Sequence, residues 1–159
     1  MKNKMITCAL GIVACAGTAV LMRQRMMKGI KYWYKLTIKN ELLLKVTAYW
    51  AETESKGRKI SDRILRKGYR NIAIYGYGIL GEHLYNVLEK TDVCIKCVID
   101  KKADEKLNLI DVCKPDDINQ EFDVMIVTAI ADYEAIKAEM GAKVTCPIIS
   151  LEDFIYGEE

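Results

Sequence analysis

Asn71 to Lys90 reads NIAIYGYGILGEHLYNVLEK. Asn71–Tyr75 predicts a strand, and from Ile72 onward it is a continuous apolar run of the kind a strand buried on both faces requires. From Ile79 to Glu89 the pattern changes to helical spacing, with Leu80, Leu84, Val87 and Leu88 on one face. Between them lie Gly76, Gly78 and Gly81, spaced G-x-G-x-x-G. The chemistry of such a turn follows from its position. The first glycine permits a tight bend, the second leaves room for a ligand against the backbone, and the third lets the helix approach the strand. The helix start offers unpaired N–H groups and a positive dipole end to a phosphate.

The stretches around this one repeat the alternation. Gly57 interrupts the chain, KISDRILRKG predicts a short helix stopped by Gly68, and Val93–Ile99 predicts the next strand. Leu109–Val112 predicts a short third strand, Phe122–Val127 a fourth, Asp132–Met140 a helix, Pro147–Ile149 a fifth strand and Leu151–Ile155 a closing helical turn. Strands alternating with helices predict an α/β fold, a parallel sheet of about five strands covered by helices on both faces. Residues 69–159 are expected to form this domain. Asp100 ends the second strand, 24 residues after Gly76, where a carboxylate can accept hydrogen bonds from a ribose diol. It would repel a 2′-phosphate, which favours NAD over NADP; Lys101 and Lys102 act against that preference. A turn that serves only tight packing is the alternative.

The N-terminal part differs in charge. Residues 1–68 carry 15 Lys/Arg and 4 Asp/Glu, residues 69–159 carry 9 and 18. Met5–Met22 holds 18 residues without a charge, about 27 Å as a helix against a hydrocarbon core of about 30 Å. Lys2 and Lys4 precede it, and Arg23, Arg25, Lys28, Lys31, Lys35 and Lys39 follow. The basic side belongs in the cytoplasm. We therefore expect a single-pass membrane anchor over residues 1–27, a basic helical linker over 28–68, and a cytoplasmic globular domain. The dense basic run opposes a cleaved signal peptide, and the apolar residues after Cys15 oppose a lipoprotein signal. Thr7, Gly11 and Cys15 recur every four residues, a stripe that permits pairing with a second copy. In Lys28–Lys39 the lysines share one face, with Ile30, Trp33, Tyr34 and Ile38 away from it. Such a helix suits either a lipid headgroup region or packing on the globular part. Leu43, Val46, Tyr49 and Trp50 form a packing stripe. Nucleic acid is the weakest partner for a basic segment beside lipid.

The six cysteines are scattered through apolar runs, which points to reduced packing residues. Cys94 and Cys97 form a CxxC inside a strand, where residues three apart face opposite ways, so no metal site is expected.

The segments YRNIAIYGYGILGEHLYNVLE, VCIKCVIDKKAD, DVMIVTA and CPIISLEDFIY resemble the short Rossmann-like NAD(P)-binding domains related to nucleoside-diphosphate-sugar epimerases. Domains of this type occur in bacterial surface-polysaccharide and sugar-modifying proteins, often beside a catalytic unit. By position, the resemblance implies a cofactor site at Gly76, Tyr77, Gly78, Ile79, Leu80, Gly81, Asp100 and Lys101, with Thr128 and Ala129 lining its other side. The implied ligand is NAD, with NADP or a nucleotide-sugar as alternatives. Tyr133 and Lys137 have the Y-x-x-x-K spacing of the epimerase catalytic pair, but stand too early in the fold and lack the accompanying serine. His83, two residues past the glycine turn, is the one histidine. Three readings stay open: a binding module accessory to envelope polysaccharide metabolism, a small epimerase- or oxidoreductase-like enzyme completed by a dimer or partner chain, and an interaction scaffold.

Overall fold

The computed structural model describes residues 2–103 and 112–157, without the side chains of residues 2–17 and 19. The chain forms two compact units, Met1–Glu41 and Leu42–Glu159. A helix, α1, runs from Lys2 to Ser55. In the first unit the described side chains, from Val20 onward, are nearly all exposed, Tyr32, Trp33 and Tyr34 each by more than 60 %. Among the described residues no helix is long and apolar enough to cross a membrane. Most of the expected span Met5–Met22 lies outside the residues whose side chains are described.

The second unit begins earlier than residue 69. The last turns of α1 belong to it because Val46 and Trp50 are buried, with Leu42, Leu43 and Tyr49 packed beside them. Gly57, at φ +75°, reverses the chain into α2 (Ile60–Arg66), which buries Ile60 and Ile64 in the same core. What reads in sequence as a linker is therefore partly core.

Five strands follow: β1 (Asn71–Tyr75), β2 (Cys94–Ile99), β3 (Val112–Cys113), β4 (Val124–Val127) and β5 (Ile148–Ser150). All pair in parallel, in the order β3-β2-β1-β4-β5. This is the order of a doubly wound sheet, and it reverses direction between β1 and β4. The expected third strand Leu109–Val112 is described only from Val112, and extends to Cys113. β1 and β4 are central and buried on both faces, which accounts for their unbroken apolar runs. One face packs Ile72, Ile74, Val124 and Ile126 against the end of α1, α2, α3 (Ile79–Leu88) and α5 (Leu151–Tyr156). The other packs Ala73, Tyr75, Met125 and Val127 against Ile136 and Met140 of α4 (Tyr133–Met140).

Two polar clips join distant segments, one at the edge of the sheet and one between helices. Asp123, just before β4, accepts the Arg70 and Asn71 backbone N–H groups at 2.8 and 2.7 Å, and these bonds hold its carboxyl below the usual range. Arg63 of α2 is buried and donates through Nη1 to the Phe154 and Ile155 carbonyls at 2.7 and 2.6 Å, satisfying the end of α5.

The cysteine expectation needs one correction. The β1–β2 register shifts so that Ile72 pairs with Ile95 and Ala73 with Cys97. The extra residue, Lys96, cancels the simple alternation between Cys94 and Cys97. Cys97 instead packs with Cys113 of β3 at the edge of the α4-side core, while Cys94 is exposed. No group of three metal-ligating side chains occurs among the described residues.

Candidate functional site

The C-terminal ends of β1 and β4 lie side by side where the strand order reverses, the position at which open parallel sheets leave a crevice. The turn Gly76–Gly81 rises from β1 at this point. Gly76 continues the ladder by one bond, donating to the Ile99 carbonyl at 2.7 Å, and has φ +96°. That backbone conformation suits glycine. Thr128, at the end of β4, donates through Oγ1 to the Tyr75 and Gly76 carbonyls at 3.1 and 2.5 Å, tying the two strand ends together.

The three glycines answer to different demands. A Cβ on Gly81 would overlap the carbonyl oxygen of Gly76 and stand 3.1 Å from Thr128 Oγ1. Glycine here lets α3 sit against the strand end, a requirement of the fold itself. Gly76 is required by its φ. Gly78 is required by neither: at φ −93° and ψ −164° its backbone is extended, and a Cβ would meet nothing within 4 Å. It is the N-cap of α3 and supplies no side-chain cap to the helix N–H groups. Open space in front of a helix start is the cradle an approaching phosphate group needs. The turn thus leaves room for a phosphate group at the start of α3.

Asp100 closes the second side. Its Oδ2 accepts the Tyr77 N–H at 2.7 Å and its Oδ1 the Lys102 N–H at 2.8 Å. The carboxylate is thereby fixed beside the glycine turn. Lys101 reaches away to Glu139 of α4, at 2.7 Å, so its charge is directed to that carboxylate.

A cavity of about 330 Å³ opens between these strand ends and α4. Gly76, Asp100, Lys101 and Ala129, all expected from the sequence, line it. So do Tyr75, Asp132, Ala135, Ile136 and Glu139, which the sequence reading did not single out. The last four recur at i, i+3, i+4 and i+7, one face of a helix, which is the signal that could have found them. Tyr75 has the opposite problem: within an apolar strand it reads as core. It is 3 % exposed, and burial pushes its hydroxyl pKa up.

The other expected residues lie elsewhere. Tyr77 and Leu80 are buried in the α3-side core, Tyr77 edge-on to Tyr85. Ile79 is 71 % exposed at the start of α3. Tyr133 donates its hydroxyl to the Ile148 carbonyl at 2.9 Å, and Lys137 stands 5.4 Å from the centre of its ring. The pair braces α4 against β5. His83 is exposed on α3 and stacks edge-on with Trp50. A second cavity of about 320 Å³, lined by Lys96, Cys97, Cys113 and Ile118 among others, lies at the β2–β3 edge.

A family model described as C2185-like, N-terminal matches residues 68–144, a stretch that runs from before β1 through α4. No curated protein and no solved structure matches the chain.

Proposed function

We propose that the chain is a membrane-anchored module that holds NAD(H) at the turn Gly76–Gly81, with its α/β unit in the cytoplasm. The observation that carries this reading is Gly78, a glycine that neither backbone conformation nor packing within the chain explains. The pyrophosphate would lie against it and the first N–H groups of α3. Asp100 would accept the hydrogen bonds of the adenosine ribose. With Lys101 paired to Glu139, the carboxylate favours NAD over NADP.

The anchor rests on the uncharged run Met5–Met22 and the basic residues after it. The exposed Tyr32, Trp33 and Tyr34 among lysines fit the headgroup layer of an anionic membrane. A role beside a catalytic partner in envelope polysaccharide metabolism rests on the resemblance of the α/β unit to epimerase-related domains.

The test is calorimetric titration of the full chain with NAD, NADH, NADP and UDP-sugars. Saturable binding of NAD or NADH, tighter than NADP, is expected. No binding at millimolar ligand overturns the reading, and preferential binding of a UDP-sugar replaces NAD as the ligand.

A further inference from the structure

The register shift at Lys96 sets Cys97 beside Ala73 and Ile99 beside Tyr75, on the α4 side of the sheet. Cys113 of β3 pairs with Ile99 and faces the same way. The connection from β3 to β4, residues 114–123, contains no helix. The cavity of about 320 Å³ at the β2–β3 edge lies between that connection and the two strands. Cys97 and Cys113 both line it, and both are only partly buried. Burial pushes the Cys97 thiol up to about 12, and the neighbouring Cys113 adds to the rise. Burial raises the Cys113 thiol as well. Both are protonated near neutral pH and are poor nucleophiles.

Strand geometry limits what this pair can do. Cys113 stands opposite Ile99, two residues on from Cys97. With strands about 4.8 Å apart and about 3.3 Å per residue, the two Cα atoms are separated by about 8 Å. A disulfide needs them within about 7 Å. An ion bound to both sulfurs adds two metal–sulfur bonds of about 2.3 Å each and spans the longer distance.

The donor set selects the ion. Zinc takes four donors in a tetrahedral array, and among the described residues no third ligating side chain completes a metal-holding group. A soft, closed-shell monovalent ion, Cu(I), prefers sulfur and is satisfied by two thiolates in a line. Its binding breaks both S–H bonds, forms two Cu–S bonds and releases two protons to solvent, with no change of oxidation state. One negative charge remains on the site. Lys96 brings an ammonium to the same cavity, and Asn119 and Gln120 bring amide donors.

We propose that Cys97 and Cys113 form a two-coordinate site for Cu(I) at the β2–β3 edge. The site shares no residue with the glycine turn and does not depend on the nucleotide reading.

The test is an oxygen-free titration of the reduced full chain with Cu(I), in competition with the chromophoric chelator bicinchoninate. The wild type and Cys94→Ser should each withdraw one equivalent more than Cys97→Ser and Cys113→Ser do. Affinity should rise about a hundredfold per pH unit near neutrality, tenfold for each proton released. X-ray absorption by the wild-type complex, which needs no variant to fold, should show two sulfur neighbours and no nitrogen or oxygen. Absence of uptake by the wild type overturns the proposal, as does full uptake by either Cys97→Ser or Cys113→Ser. Loss of the equivalent in Cys94→Ser overturns it too, since the ion would then sit on the exposed thiol. Three or more sulfur neighbours, or affinity independent of pH, overturn the two-thiol assignment.

Discussion

Gly78→Ala and Gly81→Ala add the same methyl group three residues apart, and the structure predicts opposite outcomes. At Gly78 the backbone is already extended and the new Cβ meets nothing within 4 Å. Alanine there loses something as an N-cap, about half a kcal/mol, and gains about as much by restricting the unfolded chain. The net stability change should stay within about 1 kcal/mol, a melting shift of a few degrees at most. At Gly81 the Cβ overlaps a backbone carbonyl, and either α3 or the turn must move. Overpacking of this kind costs about 1–3 kcal/mol, and more where backbone must shift. Ligand affinity should divide the other way for Gly78. A methyl group between the turn and a pyrophosphate also forces displacement, and about 1–3 kcal/mol corresponds to about 5-fold to 150-fold weaker NAD binding. Urea unfolding followed by Trp50, which is 2 % exposed in the folded unit, reads the first quantity. Calorimetry with NAD reads the second. A Gly78→Ala chain that keeps wild-type stability and wild-type NAD affinity refutes the placement of the pyrophosphate. One that unfolds as readily as Gly81→Ala refutes the claim that the fold does not need this glycine.

Four further outcomes are expected. Arg63→Met removes two charge-assisted hydrogen bonds to the end of α5 and should lower stability by about 3 kcal/mol; an unchanged urea midpoint would show that the carbonyls find other partners. Burial raises the Cys97 thiol from 9.0 to about 12, and Tyr75 shifts in the same direction. A raised folded pKa gives stability that is complete below the unfolded value and lost as pH rises through it towards the folded one, so the urea midpoint should fall from about pH 9 upward, less steeply in Cys97→Ala. The same shift should leave Cys97 unalkylated by iodoacetamide near neutral pH while exposed Cys94 reacts. Deleting residues 1–27 should move the protein from the membrane to the soluble fraction; retention at the membrane would make the basic helix that follows the lipid contact.

The sheet was legible because β1 and β4 are uninterrupted apolar runs over Ile72–Tyr75 and Val124–Val127, and the intervening segments keep helical spacing. The glycine turn was legible for the same reason, since strand, turn and helix are local. What escaped depends on contacts between distant segments. The stripe Leu43, Val46, Tyr49 and Trp50 reads as a packing face, but not that its partner is the core beneath α3 and α5. The shift at Lys96 depends on how β2 lies against β1. The α4 wall of the cavity has a readable period, yet only the fold shows which face meets Asp100.

These same residues divide the glycine motif into parts with different causes. Gly76 and Gly81, with Thr128, are explained by building a tight strand-to-helix turn, and a protein that bound nothing would still need them. Gly78 is not explained in that way: it leaves space. Asp100 belongs with the turn as well, since its two oxygens are engaged by the backbone of the glycine turn and of the residues after β2, so this carboxylate already has a use within the fold and only the open space at Gly78 asks for something outside it.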